Sequence, residues 1–129
     1  MRDRGSAVLI ENNQVALIKR KREDSTYYVF PGGGIENGET AEQAAVRETK
    51  EELGVTIIVI GLLAKVRFNG IQYFFLAEII GGDFGTGQGK EFSNKKRGTY
   101  EPLWIDIHSL SSIDIRPREV SERIQSLFA

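Results

Sequence analysis

The chain has 129 residues, of which 40% are hydrophobic and 27% are charged, a composition typical of a single soluble globular domain. It contains no cysteine, which excludes a disulfide framework, a thiolate zinc site and a cysteine nucleophile. The formal net charge of −1 lacks the basic excess typical of proteins that bind polymeric nucleic acid, so we expect no such partner.

The first part of the chain predicts a small group of strands. Three apolar, β-favouring runs are found at residues 6–10, 14–20 and 27–30. The pair Asn12-Asn13 separates the first two runs and favours a tight turn, which indicates a hairpin. The run Pro-Gly-Gly-Gly at 31–34 is expected to end regular structure.

A helix follows the glycine run. Thr40 is a favourable N-cap, and Gln43 three residues later completes a capping box. Gly54 is placed to end the helix as a C′ glycine. These signals predict a helix over residues 41–53.

The second part of the chain predicts further strands and a closing helix. The strands are predicted at 55–60, 62–68, 71–80 and 103–105. Residues 81–98 hold six of the fourteen glycines and are predicted to form a mobile loop. An amphipathic helix is expected to begin at Pro117. Because no repeat or linker interrupts this order, we predict one domain over 1–129, of the α/β (α+β) class, around a mixed sheet.

Three glutamates of the predicted helix, Glu48, Glu51 and Glu52, are spaced i, i+3 and i+4. At roughly 100° per residue they lie within about 100° of arc, so all three project from one side of the helix. Clustered carboxylates are hard oxygen ligands suited to Mg²⁺ or Mn²⁺. The alternative is a solvated acidic face, in which Arg47 pairs with Glu51. The spacing alone leaves both interpretations open.

The loop before the helix has two further features. Its glycines allow close backbone approach, so its carbonyls could complete a metal shell, although a plain turn is the simpler interpretation. Glu39 can interact with the helix N-terminal dipole or reach Arg47 and hold the loop against the helix. Neither role of Glu39 is catalytic.

Together these residues resemble a known pattern. Residues 33–55 read GGIENGETAEQAAVRETKEELGV, which resembles the Nudix box. The positions in register are Gly33, Glu39, Arg47, Glu48, Glu51, Glu52 and Gly54, with Val55 in the last apolar position. Thr49 stands where an aliphatic residue is usual. The resemblance implies the Nudix fold, in which a mixed β-sheet is sandwiched between helices and the box forms a loop-helix-loop.

The resemblance also implies a metal site. Glu48, Glu51 and Glu52 would bind one or more Mg²⁺ or Mn²⁺ ions, with the carbonyl of Gly32 as a further ligand. Arg47 and Glu39 would form the ion pair that holds the box together.

The reaction implied is hydrolysis of a phosphoanhydride bond in a nucleoside diphosphate linked to another group X. The substrate would be a nucleoside triphosphate (as for MutT-like proteins), a nucleotide sugar, ADP-ribose or a dinucleotide. Bound metal neutralises phosphate charge and acidifies a water molecule, and a carboxylate then accepts the proton. We expect Glu48 or Glu51 to be that base, with Glu91 and Glu101 as less favoured candidates.

Basic and aromatic residues before the box are candidates for substrate binding. Arg20 and Arg22 share one face of the second strand and could contact phosphate, while Lys19 and Lys21 share the other. Tyr28 could stack on a base. Solvated charge and core packing are the respective alternatives.

Two rival functions remain on the same fold. A non-catalytic nucleotide sensor would normally lose box glutamates, and an isomerase acting on a prenyl diphosphate usually needs an active-site cysteine, which this chain lacks. We expect a small nucleotide as the partner, and since many relatives dimerise, a homodimer is an open alternative to a monomer. No secretory signal or apolar stretch of membrane-spanning length is found, which predicts a cytoplasmic protein without membrane contact.

Overall fold

The computed structural model describes residues 2–87 and 98–129. Within these residues the elements follow in this order: β1 (Arg4–Glu11), β2 (Gln14–Arg22), β3 (Ser25–Val29), β4 (Gly32–Gly34), α1 (Ala41–Leu53), β5 (Val55–Arg67), β6 (Ile71–Gly82), β7 (Thr99–Asp106), a 3₁₀ helix (Ile107–Ser112), β8 (Ile115–Arg116) and α2 (Arg118–Phe128). In this part of the chain, no helix is both long and apolar enough to cross a membrane.

The strands form a mixed sheet, which confirms the predicted fold class. Their order is β5-β6-β1-β2-β3-β8, with β4 added to β1 and β7 added to β2. The pairs β1–β6 and β3–β8 are parallel, and the other pairs are antiparallel. β1 pairs with β2 only next to the hairpin turn, at Ile10 and Glu11. The first residues of β1 therefore have a free side, on which β4 pairs.

The two helices cover opposite faces of β1. Ala7 and Leu9 pack in a core cluster with Leu53 of α1, whereas Val8 packs in a second cluster with Ile124 of α2. This separation follows from strand geometry, because successive side chains point to opposite faces. We call these sides the α1 face and the α2 face. The sandwich of helix, sheet and helix predicted from the family resemblance is confirmed.

Two predictions about strands were wrong. Gly32–Gly34 does not end regular structure but forms β4, since the free side of β1 offers it hydrogen-bonding partners. The strands predicted at 55–60 and 62–68 are one strand, β5. It stays paired with β6 through three register shifts, one of them between Val59 and Gly61, so Gly61 is absorbed in an irregularity instead of a turn.

The glycine-rich segment differs from a simple loop. Gly81 and Gly82 belong to β6, and residues 83–87 turn back over the end of α1, where the amide of Gly85 donates to the carbonyl of Leu53 at 2.8 Å. The prediction of a mobile loop otherwise falls on residues 88–97, which lie outside the described residues. β7 is longer than the predicted 103–105 because it pairs with β2 along its length. The sequence analysis missed the 3₁₀ helix and β8.

The caps of α1 agree with the prediction. The Thr40 side chain accepts from the amide of Gln43 at 3.1 Å, and the Gln43 side chain accepts from the amide of Thr40 at 2.8 Å. Gly54 ends the helix in the left-handed conformation, with φ of 81°. These local signals set where α1 begins and ends, and therefore the direction in which its glutamates project.

One buried residue of α1 is unfavourably placed. Thr49 is fully buried, and within the described residues its hydroxyl oxygen has no hydrogen-bond partner. Thr49→Val is expected to raise the free energy of unfolding by about 1–2 kcal/mol, because an isosteric methyl removes an unsatisfied buried polar group. Urea unfolding of both proteins measures the difference. Unchanged or lower stability of the variant would show that the hydroxyl is satisfied in solution.

Candidate functional site

The glycine strand and the glutamate-bearing helix are joined by a buried hydrogen bond. The amide nitrogen of Gly32 in β4 donates to Oε1 of Glu52 in α1 at 2.8 Å. Glu52 is only 8% exposed, and a carboxylate is unfavourable there unless it is paired. The bond therefore holds both partners in place and brings the carboxylate beside the backbone of β4.

Glu48 lies against the next residue of the same strand. A Cβ atom built on Gly33 would overlap the Glu48 carboxylate group, so only glycine leaves room for that side chain in its present position. Glu48 is also mostly buried, with 18% of its side chain exposed. β4 thus contacts two of the three glutamates through backbone alone, which requires a strand without side chains.

Arg47 connects the loop to the helix. Its guanidinium binds Glu39 through two bonds, Nε to Oε2 at 2.8 Å and Nη2 to Oε1 at 2.9 Å. Nη2 also donates to the carbonyl of Gly34 at 3.0 Å. Nη1 donates to Oε2 of Glu48 at 3.0 Å and lies 3.6 Å from Oε1 of Glu51. With Glu36, whose Oε1 lies 3.5 Å from Nε, one arginine therefore contacts four carboxylates and the end of β4.

The pair between Arg47 and Glu39 shifts both titrations. The hydrogen bonds from Arg47, and then the bond from the amide of Glu36, lower the pKa of Glu39 from 4.5 to about 2. The hydrogen bond to Glu39 is the main cause that raises the pKa of Arg47 above its ordinary value. Desolvation opposes this shift, and the bond to Glu48 adds to it. Both groups remain charged at neutral pH, so the loop stays tied to the helix.

Glu39 is expected to make folding stability depend on pH in the acid range. Because its pKa is lower in the folded chain than the ordinary 4.5, its contribution is present above pH 4.5 and is lost as pH falls towards 2. Glu39→Gln should therefore flatten the dependence of the urea midpoint on pH between these values. Some slope remains, since Arg116 also lowers the pKa of Asp114. Identical slopes in the two proteins would contradict the assignment.

Two of the three glutamates contact the glycine strand, but the three carboxylates do not converge. Among the described residues, no group of three acidic or histidine side chains is arranged to hold a metal ion. Glu51 is 51% exposed and, like Glu48, is turned towards Arg47. The donor set nevertheless suits a hard divalent cation, since the carboxylates of Glu48 and Glu52 lie beside the backbone of β4, where the missing Cβ of Gly33 makes room for Glu48.

The residues expected to bind substrate are separated by the sheet. Arg20 and Arg22 lie two and four residues after Ile18 in β2, so the alternation of the strand places them on the α1 face, where Ile18 packs. The Arg20 guanidinium lies 3.9 Å above the ring of Tyr100. Tyr28 packs against the core on the α2 face. This agrees with core packing, the alternative to stacking on a base. The structure does not bring Tyr28 together with the box helix.

The candidate bases outside the box are placed as follows. Glu101 alternates with Tyr100 and Trp104 along β7, which pack on the α1 face, so Glu101 lies on the other side of that strand. Glu91 lies outside the described residues.

A cavity that the sequence analysis missed opens beside β4. Its volume is about 440 Å³, and its lining includes Phe30, Phe68, Phe74, Arg4, Arg67 and Arg116. Four of these residues belong to four separate strands, and Phe30 and Phe68 follow the ends of β3 and β5, so no local pattern in the sequence could join them. Only the alternation along β1 gives a signal, because it places Arg4 and Ser6 on the side opposite Gly5, whose backbone approaches α1.

Comparison with known proteins identifies the family. The model of the NUDIX domain family matches residues 1–124. Over 78 residues the chain is 41% identical to the putative 8-oxo-dGTP diphosphatase of Bacillus subtilis, covering 58% of this chain and 51% of that protein. Over 88 residues it is 36% identical to the ADP-ribose pyrophosphatase of Methanocaldococcus jannaschii, covering 62% and 52%. The chain thus spans about half the length of these curated relatives.

The fold agrees with solved structures as well. A NUDIX hydrolase from Nitrosomonas europaea superposes with a TM-score of 0.77 at 20% identity, covering 96% of this chain and 86% of that one. At this identity the likeness establishes the fold alone. Because the family model extends over nearly the whole chain and the box residues are in register, the protein belongs to the NUDIX domain family.

Proposed function

We propose that the protein is a divalent-metal-dependent hydrolase that cleaves a phosphoanhydride bond in a nucleoside diphosphate linked to another group X. The observation that carries this proposal is the contact of β4 with α1, where Gly32 binds Glu52 and Gly33 makes room for Glu48. In this contact two carboxylates of one helix lie against the backbone of a strand that has no side chains. Such an arrangement suits a metal-assisted reaction better than it suits a solvated acidic face.

Members of the family generally depend on a divalent metal ion. In this chain, Glu48, Glu51, Glu52 and the carbonyl of Gly32 are the oxygen donors we assign to Mg²⁺ or Mn²⁺. Both ions prefer such ligands, and thiolates, which would favour softer metals, are absent from the sequence. When bound, the ion supplies neutralisation of phosphate charge and an acidified water molecule.

The chain's own residues divide the remaining tasks. Arg47 and Glu39 hold the loop against the helix and keep β4 in register with the glutamates. Glu48 or Glu51 accepts the proton from the attacking water. Glu48 is mostly buried and Glu51 is half exposed, so the base would be largely shielded from solvent if it is Glu48 and in contact with solvent if it is Glu51. Glu101 is disfavoured as the base because it lies on the other side of β7 from the α1 face.

The cavity next to β4 fits the nucleoside end of the substrate. Its volume of about 440 Å³ is within the range of small-ligand pockets, and the exposed ring of Phe68 in its lining offers aromatic surface for a base. We keep Arg20 and Arg22 as candidates for contacts to the more distant phosphate or to X. Several relatives are named for 8-oxo-dGTP or ADP-ribose, and these are the substrate types to test first.

A panel of nucleotides tests the proposal. The protein is incubated with 8-oxo-dGTP, the ordinary nucleoside triphosphates, ADP-ribose, a nucleotide sugar and a dinucleoside polyphosphate, with Mg²⁺, Mn²⁺ or EDTA. Release of a nucleoside monophosphate with either metal, and none with EDTA, supports the hydrolase. Tight binding without turnover would indicate the nucleotide sensor instead. Neither binding nor turnover of any compound would contradict both functions.

A further inference from the structure

Among the arginines that line the cavity, Arg4 occupies a distinct position. It lies near the start of β1, and its neighbours across the two adjacent strands are Gly34 of β4 and Gln72 of β6. Gly5, the next residue, faces α1, so Arg4 must project to the cavity side. There its Nη2 reaches the carbonyl of Gly32, the residue whose amide binds Glu52. Arg4 therefore stands between the cavity and the glutamates.

Within the described residues, the guanidinium of Arg4 makes one long hydrogen bond and no ion pair. Its bond to Gly32 is long, at 3.4 Å, and within the described residues no carboxylate lies within ion-pair distance of it. Arg116, by contrast, binds Asp114 at 3.0 Å and covers the ring of Tyr27 at 4.1 Å. Arg47 is surrounded by carboxylates. Because Arg4 is exposed and has only this one weak acceptor, its guanidinium can turn towards a ligand at a small cost in free energy.

We propose that Arg4 is a phosphate-binding residue, which holds the phosphate that joins the nucleoside in the cavity to the bond cleaved beside Glu52. The inference rests on the proposed function, because it assumes that a diphosphate crosses from the cavity to the box. β4 has no side chains of its own, so a phosphate that crosses beside Gly32 meets backbone, the Ser6 hydroxyl and the Arg4 guanidinium, while the Arg2 guanidinium lies farther along the strand, against Gly34. The planar fork of arginine matches two phosphate oxygens, which also resists rotation of the diphosphate during attack.

The binding test uses inorganic pyrophosphate with the full chain. Arg4→Gln is expected to weaken pyrophosphate binding by about 10-fold or more, as measured by calorimetry, and Arg4→Lys to restore part of the loss. Lys65→Gln removes the same charge from an exposed position in β5, which is two strands away from β1 in the sheet. This control should change pyrophosphate binding by less than about 3-fold. Equal losses in both variants, or no loss in Arg4→Gln, would overturn the proposal, as would failure of the wild type to bind pyrophosphate.

Turnover separates this proposal from the proposed function. On the best substrate of the panel, Arg4→Gln should lower kcat/KM by about 10- to 100-fold, with part of the loss in kcat, because the contact orients the reacting phosphate. An active wild type with an unaffected Arg4→Gln variant would refute the role of Arg4 and leave the hydrolase intact. A wild type that binds pyrophosphate through Arg4 but hydrolyses no nucleotide would refute the hydrolase alone.

Discussion

Glu52→Gln is expected to lower kcat by at least ~100-fold while leaving the fold intact, because it removes a negative charge from the proposed metal site with almost no change in side-chain shape. The glutamine oxygen can still accept the hydrogen bond from the amide of Gly32, so β4 should remain attached to α1. Initial rates with Mg²⁺ and Mn²⁺ measure the loss. Thermal unfolding measures whether the structure is kept.

A second glutamate of the same helix provides the control. Glu42 lies in the first turn of α1 and is exposed, so Glu42→Gln changes the charge of the protein equally without touching β4. This control should keep full activity. If Glu52→Gln also kept it, Glu52 would have to be removed from the metal site and the proposed mechanism would fail. If Glu52→Gln melted far below the wild type, its carboxylate would be structural.

Gly33→Ala is expected to reduce kcat/KM by about 10- to 100-fold, because the new Cβ overlaps the Glu48 carboxylate and forces that side chain to move. Glu48 is tied to Arg47, so it cannot shift without weakening that bond. We expect the dependence of rate on metal concentration to move to higher concentration, since the displaced carboxylate is one of the proposed ligands. Titration of Mg²⁺ and Mn²⁺ in the rate assay measures the shift.

The matched control is another glycine inside a strand. Gly61 lies in β5, and a Cβ built there would meet nothing within 4 Å. Gly61→Ala should therefore leave activity and metal dependence unchanged. A similar loss in both variants would point to a general effect of replacing strand glycines. Full activity of Gly33→Ala would mean that the position of Glu48 against β4 is unimportant for the reaction.

The box helix could be predicted closely because its signals are local. Thr40, Gln43 and Gly54 act on backbone groups within a few residues, and all three take the predicted roles. The pairing of Glu39 with Arg47 was also expected, and the structure has it. The network around Arg47 is wider than expected, since it adds Glu48 and the carbonyl of Gly34.

The strands were harder to delimit because their hydrogen bonds come from other parts of the chain. Gly61 looks like a break in sequence, yet β5 continues through it because β6 pairs on both sides. The glycine run at 31–34 looks like a turn, yet β1 offers it a free side. In both places a glycine favoured interruption by its own conformational freedom, and the neighbouring strand overrode that preference.

By itself the sequence determined the box helix, its caps and the face that carries Glu48, Glu51 and Glu52, because helical geometry follows from residues one turn apart. Only the tertiary structure decided that Glu52 binds Gly32, 20 residues away, and that Arg4 reaches the same glycine across 28 residues. The cavity likewise exists only once distant strands meet. Contacts of this kind depend on which strands pair, and pairing is a property of the whole sheet that no short segment encodes.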